Sequence, residues 1–284
     1  MLRIRNLHKA FSGRTAVDGL SIELHKGEVF GLLGPNGAGK STTMSCAAGL
    51  LRPDQGDVTI DATAGPLPPT DPRARAQLGV APQVLAIYDE LTPEENLRFF
   101  ARLQGLRGST LRSRVATILD DVQLADRARS QVSTFSGGMK RRLNLGVALV
   151  HDPPLILLDE PTAGVDPHSR NAIFELIRAL KARGRTILYT THYMEEAQRL
   201  CDRVGIIDHG RLLALDTVEN LTARFGGRSV LTVERSGVAQ RTETDEPLQA
   251  LTSAFAAGGV TGVRIERPDL ESVFLALTGR SLRD

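Results

Sequence analysis

Neither sign of charge dominates this chain: 35 lysines and arginines face 33 aspartates and glutamates among 284 residues. A balance that close lacks the basic stripe of a nucleic-acid binder, so, local patches aside, nucleic acid is not expected as a partner. Cysteine is nearly absent too. Cys46 and Cys201 are too few for a disulfide framework and have no metal-ligand cluster around them, which suits two core thiols in a reducing cytosol. No apolar run approaches the ~18 residues of a membrane span, and the stretch after Arg3 and Arg5 has no apolar core of signal-peptide length. Any membrane role therefore has to run through a partner. The length suits one large domain with an ample core plus a small one.

Against those absences stands one stretch without a mismatch. Gly34-Pro35-Asn36-Gly37-Ala38-Gly39-Lys40-Ser41 fits the phosphate-binding pattern G-x-x-x-x-G-K-[ST], with Thr42 directly behind it. An apolar run, Val29 to Leu33, leads in as a buried strand, and Ser41 to Met44 leads out without a breaker, as a helix. The glycines let successive N–H groups turn inward around phosphates, and the helix N-terminus adds its partial positive charge. Lys40 is then expected on the β- and γ-phosphates of ATP or GTP, and the Ser41 hydroxyl on Mg²⁺.

Short strands are expected at Leu2–Ile4 and Ala16–Leu24, with Gly13 and Gly27 at turns; Phe11 lies ahead of the phosphate loop, where an aromatic is either core or a stacking surface for a purine. Val58–Ile60 reads as a strand, the proline-rich segment 61–76 as an exposed connection, and Leu78–Ala81 as a strand followed by Pro82 and Gln83. Thr92-Pro93-Glu94-Glu95 combines an N-cap, a proline at the first helical position and a capping-box glutamate. Helical spacing of Leu111, Val115, Ile118, Leu119 and Val122 makes the block up to about residue 150 a small helical subdomain. Within it Ser136-Gly137-Gly138 is a good cap and a second anion-binding helix start, or an ordinary flexible turn; Lys140-Arg141-Arg142 reads as a solvated helix face.

Leu155-Ile156-Leu157-Leu158 is a fully buried parallel strand ending in Asp159 and Glu160, where open α/β sheets put their ligands. Beside a phosphate loop, Asp159 suits a Mg²⁺ ligand and Glu160 a general base that polarises the attacking water. Asp166-Pro167 opens a helix, Thr186–Thr190 forms another buried strand, and His192 sits at its C-terminal end, where it could donate to a γ-phosphate oxygen, although a lone histidine at a strand end is usually inert. A hairpin at Val204–Ile207 and Leu212–Leu215 closes the large domain. From about Asp216 a separate rhythm begins, with strands near Leu231–Val233 and Val263–Ile265 and helices near 248–257 and 270–277.

In this order the motifs resemble those of the ATP-binding subunits of ABC transporters over about residues 1 to 215. Phe11 matches the adenine-stacking aromatic, Gly34 to Ser41 the Walker A loop, and Gln83 the Q-loop, a further Mg²⁺ and water contact. Ser136-Gly137-Gly138 matches the signature motif, Leu155 to Glu160 Walker B with its catalytic glutamate, Ala163 to Asp166 the D-loop and His192 the switch histidine. Phe135 and Met139 depart from the common Leu-Ser-Gly-Gly-Gln at its ends. The Gly-Gly-Met form, its basic sequel and the tail from Asp269 to Arg280 resemble the daunorubicin-resistance-type, ABC-2 exporter branch.

The resemblance implies an α/β P-loop NTPase fold: a mixed core sheet, an N-terminal antiparallel β subdomain, an inserted helical subdomain at about 84–150, and a small α+β accessory or regulatory domain at 216–284. It further implies ATP and Mg²⁺ as ligands and a homodimer closed by ATP, with Ser136 and its glycines meeting the γ-phosphate of the facing chain. A separate ABC-2-type permease would hold the protein at the cytoplasmic face of the membrane for export of a drug, lipid or other hydrophobic compound. A soluble ABC ATPase acting on ribosomes or DNA shares these motifs, but usually as paired units or with a coiled-coil insertion that this chain lacks. A non-hydrolysing nucleotide sensor is disfavoured by Glu160 and His192.

Overall fold

The computed structural model describes residues 1–62 and 65–279, and contacts divide the chain into Met1–Leu215 and Asp216–Asp284. The first unit is built on six strands in the order β10-β9-β3-β8-β7-β6. These are β3 (Val29–Leu33), β6 (Leu78–Ala81), β7 (Leu155–Asp159), β8 (Thr186–Thr191), β9 (Arg203–Asp208) and β10 (Arg211–Thr217). From β9 through β6 every neighbouring pair is parallel. β3, β7 and β8 are buried at every position, so their near-continuous apolar runs reflect cover on both faces.

A second sheet, in the order β2-β1-β4-β5, is antiparallel throughout: β1 (Leu2–Phe11), β2 (Arg14–Leu24), β4 (Gln55–Ala62) and β5 (Gly65–Leu67). In β2, Val17, Leu20, Ile22 and Leu24 are buried while Gly19, Ser21 and Glu23 are exposed, the alternation of a sheet with one wet face. The proline-rich segment departs from the expected open connection. It holds β5 and a single helical turn, α2 (Pro72–Arg75), where Asp71 accepts from Arg73 N–H, Pro72 takes the first helical position and Ala74 is fully buried. The first strand also runs seven residues beyond Ile4, its register shifting at three places as a bulged strand does.

Helices α1 (Lys40–Ala47), α3 (Pro93–Leu103), α4 (Gly108–Asp121), α5 (Gly137–Leu149), α6 (Pro167–Ala182) and α7 (Met194–Leu200) complete the unit. The capping box of α3 is formed: Thr92 Oγ1 accepts from Glu95 N–H at 3.2 Å and the Glu95 carboxylate accepts from Thr92 N–H at 2.9 Å. The bonds that the Thr92 N–H and hydroxyl donate to it hold the Glu95 carboxyl below its usual range. The apolar faces of α3, α4 and α5 share one core with β7 and β8, through Leu97, Ile118, Leu143, Ile156 and Tyr189, so the helical block is anchored to the strands that carry the site. In the second unit, α8 (Val218–Phe225), β11 (Ser229–Arg235), β12 (Val238–Thr244), α9 (Pro247–Ala256), β13 (Val260–Glu266) and α10 (Leu270–Thr278) form a sheet β12-β11-β13 and a helix pair, α8 against α10. Asp269 and Ser272 cap α10 reciprocally, and Leu270, Val273 and Phe274 bury its apolar side. Arg280, where the tail resemblance ends, lies outside the described residues. Among the described residues no helix is long and apolar enough to cross a membrane.

Candidate functional site

The end of β3, the loop 34–39 and the start of α1 form the floor of the site. Gly39 holds φ at 104°, a conformation that glycine adopts freely, and a Cβ there would overlap the carbonyl oxygen of Ala16. Gly34 is fixed by close approach instead, since its Cβ would strike the Ile207 carbonyl. The loop is tied to the sheet by Gly34 N–H to Thr191 O at 3.3 Å, and Gly210 N–H donates to Ala38 O at 3.0 Å. Lys40 is 4 % exposed, and its Nζ donates to the carbonyls of Gly34 at 2.8 Å and Pro35 at 3.0 Å. A buried ammonium that can swing from loop carbonyls to phosphate oxygens needs no new charge partner when a nucleotide binds.

Opposite Lys40 stands Glu160, itself buried, with Oε1 3.1 Å from the ammonium. Its other oxygen, Oε2, accepts from Gln83 Nε2 at 3.2 Å and lies 3.2 Å from His192 Nδ1, off the line of a hydrogen bond. Glu160 has φ of 44°, a left-handed conformation that costs a non-glycine residue ~1–3 kcal/mol and recurs where a side chain must be aimed. Next to it, Asp159 Oδ1 accepts from Thr190 Oγ1 at 2.6 Å and Ser41 Oγ at 3.3 Å, while Glu160 N–H donates to Thr190 Oγ1 at 3.0 Å. The Thr190 hydroxyl thus orients both acidic residues, a role that nothing in the sequence pattern signalled.

The hydroxyl of Ser41 and the carboxylate of Asp159 suit Mg²⁺, a hard cation that takes oxygen ligands and completes its shell with water and phosphate. No group of three or more His, Cys, Asp or Glu residues able to hold a metal occurs among the described residues.

A cavity of about 440 Å³ opens over this floor, lined among others by Phe11, Asn36, Gly37, Gly39, Lys40, Ser41, Thr42, Gln83 and Glu160. Phe11 is 49 % exposed at its rim, with Lys9 Nζ 5.6 Å from the ring centre. Ser136, Gly137 and Gly138 are not among the lining residues. Ser136 caps α5 by accepting from Met139 N–H at 3.3 Å, and a Cβ on Gly138 would overlap the Ser169 side chain. Ser169 N–H in turn donates to the N-capping Asp166, a bond that holds that carboxyl below its usual range. The loop, Gln83 and Glu160 thus meet at the cavity; Asp159 and His192 lie against Ser41 and Glu160 but, like the signature residues, are not among the lining residues.

The basic run after the signature is not the solvated face expected of it. Arg141 is 9 % exposed and donates to the backbone carbonyls of Gln83 at 2.6 Å and Ala163 at 3.4 Å. Burial pulls its guanidinium pKa down, while Asp159 and Glu160 pull it back up. Asn144, one turn on, accepts from Ala86 N–H at 2.9 Å and donates to Pro82 O at 3.2 Å. Helix α5 therefore grips the backbone on both sides of Gln83.

Comparison with known proteins identifies the family. The ABC transporter family pattern matches residues 17–163. Over the full length of both chains the protein is 40 % identical to the linearmycin resistance ATP-binding protein of Bacillus subtilis. It is 42 % identical to the Nod factor export ATP-binding protein I of Sinorhizobium fredii, over 100 % of this chain and 87 % of that one. Among solved structures, an ATP-binding subunit of an ABC transporter superposes with a TM-score of 0.71 at 33 % identity, over 80 % of this chain and 93 % of that one. A dimeric ATP-binding cassette in a post-hydrolysis state, bound to ADP and Pi, superposes at 0.69 with 25 % identity, over 76 % of this chain and 98 % of that one. By family pattern, by fold and by full-length similarity, this chain belongs to the ABC transporter family as one of its ATP-binding, ATP-hydrolysing subunits.

Proposed function

We propose that the protein is the ATPase of an ABC-2-type exporter, held at the cytoplasmic face of the membrane by a separate permease and moving a drug, lipid or other hydrophobic compound. The observation that carries the catalytic half is Glu160, held between Lys40, Gln83 and His192 at the mouth of a phosphate loop. Phe11 stacks on the adenine. The N–H groups from Gly34 to Thr42 and the Lys40 ammonium bind the phosphates, and Glu160 takes a proton from the attacking water while His192 and Lys40 stabilise charge on the γ-phosphoryl group. Ser41, Asp159 and Gln83 would hold Mg²⁺, which supplies charge neutralisation between the phosphates when bound. Ser136, Gly137 and Gly138 act in trans on the ATP of a second copy, so that ATP closes a homodimer and hydrolysis releases it.

Export is supported by the relatives, which are named for linearmycin resistance and Nod factor export. A docking face for the permease is supported by the segment after Gln83. Tyr88, Phe99 and Phe100 pack ring on ring, with centroids 5.2 to 6.1 Å apart, yet Tyr88 and Phe99 stay exposed, as do Val84 and Leu103. Exposed aromatics in one cluster are what a protein interface buries. The second unit carries no phosphate-binding motif and serves as an accessory or dimer-supporting domain.

Purification of the tagged protein from a detergent extract is expected to bring down a multi-span membrane protein; retrieval of ribosomes or DNA instead would refute the exporter reading. In that complex Gln83→Ala is expected to lower transport more than ATP binding, because the phosphates are gripped by the loop and Lys40 while Gln83 links Glu160 to the segment facing the permease. Equal retention of both would remove Gln83 from the coupling route.

A further inference from the structure

Behind the site lies a carboxylate with no assigned task. Glu196, in the first turn of α7, is 2 % exposed. Three hydroxyls converge on it: Thr162 Oγ1 donates to Oε1 at 2.7 Å, and Tyr189 OH and Thr191 Oγ1 donate to Oε2 at 2.8 Å each. Arg170 Nε, from α6, lies 3.8 Å from Oε1 and has no hydrogen-bond partner. A carboxylate taken out of water is costly unless its lone pairs find donors, and here the three hydroxyls supply them from two places, the loop after β7 and the strand β8.

The donors are not arbitrary. Thr162 follows Glu160 by two residues, in the loop that leaves β7. Thr191 immediately precedes His192, and its hydroxyl, while donating to Glu196, accepts from Tyr193 N–H at 2.9 Å. That pair of bonds pins the backbone on both sides of His192. Tyr193 is further held by the Arg170 guanidinium 5.4 Å above its ring, and its own ring centre lies 4.0 Å from that of His192. Tyr189 is a firm donor here, since burial and the Glu196 charge push its phenol pKa well above the ordinary value.

We propose that Glu196 is a positioning residue for hydrolysis: it fastens the loop that carries Glu160 to the turn that carries His192, and so sets the spacing of these two groups around the γ-phosphate. The proposal rests on the catalytic reading of Glu160 and His192 given above. Glu196 is not among the residues lining the cavity; it acts through Thr162 and Thr191.

The test is steady-state ATP hydrolysis by the full chain, with ATP affinity and thermal unfolding measured on the same preparations. Glu196→Ala is expected to lower kcat at least tenfold with ATP affinity within about twofold of wild type. Glu196→Gln is expected to recover kcat to within about threefold, because an amide satisfies all three hydroxyls once the Thr162 hydroxyl turns to accept. Thr162→Val and Thr191→Val, which keep the shape of the core, are each expected to lower kcat severalfold at unchanged affinity, and they carry the test if Glu196→Ala does not fold. Glu160→Gln serves as the reference. If it hydrolyses ATP normally, the general-base reading falls and the proposal with it. If it is inactive while Glu196→Ala, or both threonine variants, keep kcat within twofold of wild type, the proposal alone falls. Loss of kcat in Glu196→Gln as deep as in Glu196→Ala would also overturn it, because the bonds and not the charge are held to do the positioning.

Discussion

Lys40→Ala is expected to weaken ATP binding by ~10²–10⁴-fold. Charge-assisted hydrogen bonds contribute about 1.5–3 kcal/mol each, and the ammonium is placed to give two of them, to the β- and γ-phosphates; every 1.4 kcal/mol is tenfold in affinity. A second consequence adds to the loss. Glu160 sits 3.1 Å from the Lys40 ammonium in a buried setting, so removing the cation leaves a carboxylate facing incoming phosphates without its counter-charge. Titration with a fluorescent ATP analogue, on protein whose unfolding profile matches wild type, reads the effect. An affinity within threefold of wild type would show that the loop from Gly34 to Ser41 does not grip phosphate through this side chain.

How much of this was legible in the residues depends on whether a feature is local. The phosphate loop was legible because its pattern, a fixed spacing of glycines before a lysine, lies within eight consecutive residues and includes the local φ requirement at Gly39, although the close approach that fixes Gly34 comes from distant Ile207. The strand ending in Asp159 and Glu160 was legible because burial on both faces leaves an unbroken aliphatic run. Prolines misled in segment 61–76: at Pro72 the ring opens a helical turn capped by Asp71, and that Asp-Pro pair is the same start signal that correctly placed α6. In the second unit β12 was invisible because six of its seven residues are exposed, so no apolar alternation betrays it. Arg141, Thr190 and Glu196 were missed for one reason. Whether a polar side chain is solvated or enclosed is decided by partners far along the chain: the Gln83 carbonyl for Arg141, Asp159 for Thr190 and Thr162 for Glu196.

In Glu160→Gln, ATP is expected to bind but to be hydrolysed ~10²–10⁴-fold more slowly, the range that a positioned general base contributes. The substitution is compatible with the site. An amide oxygen keeps the contact with Lys40, its NH₂ faces Gln83 and His192, and either of those can turn an acceptor toward it. Nothing is left buried and unpaired, so the loss is one of proton acceptance and not of folding. If the proposed head-to-tail dimer holds, unhydrolysed ATP stays in place between the phosphate loop of one chain and Ser136 of its partner, and a ligand that binds the closed form more tightly than the single chain shifts the equilibrium toward it. Size-exclusion chromatography of the isolated subunit is therefore expected to show a dimer with ATP and a monomer with ADP. Adding Ser136→Arg is expected to abolish the dimer while leaving ATP affinity of the single chain within about twofold, because Ser136 is not among the residues lining that chain's own cavity and its hydroxyl caps α5. A double variant that still dimerises with ATP would rule out the head-to-tail arrangement, and one that loses ATP binding as well would place Ser136 in the nucleotide site of its own chain.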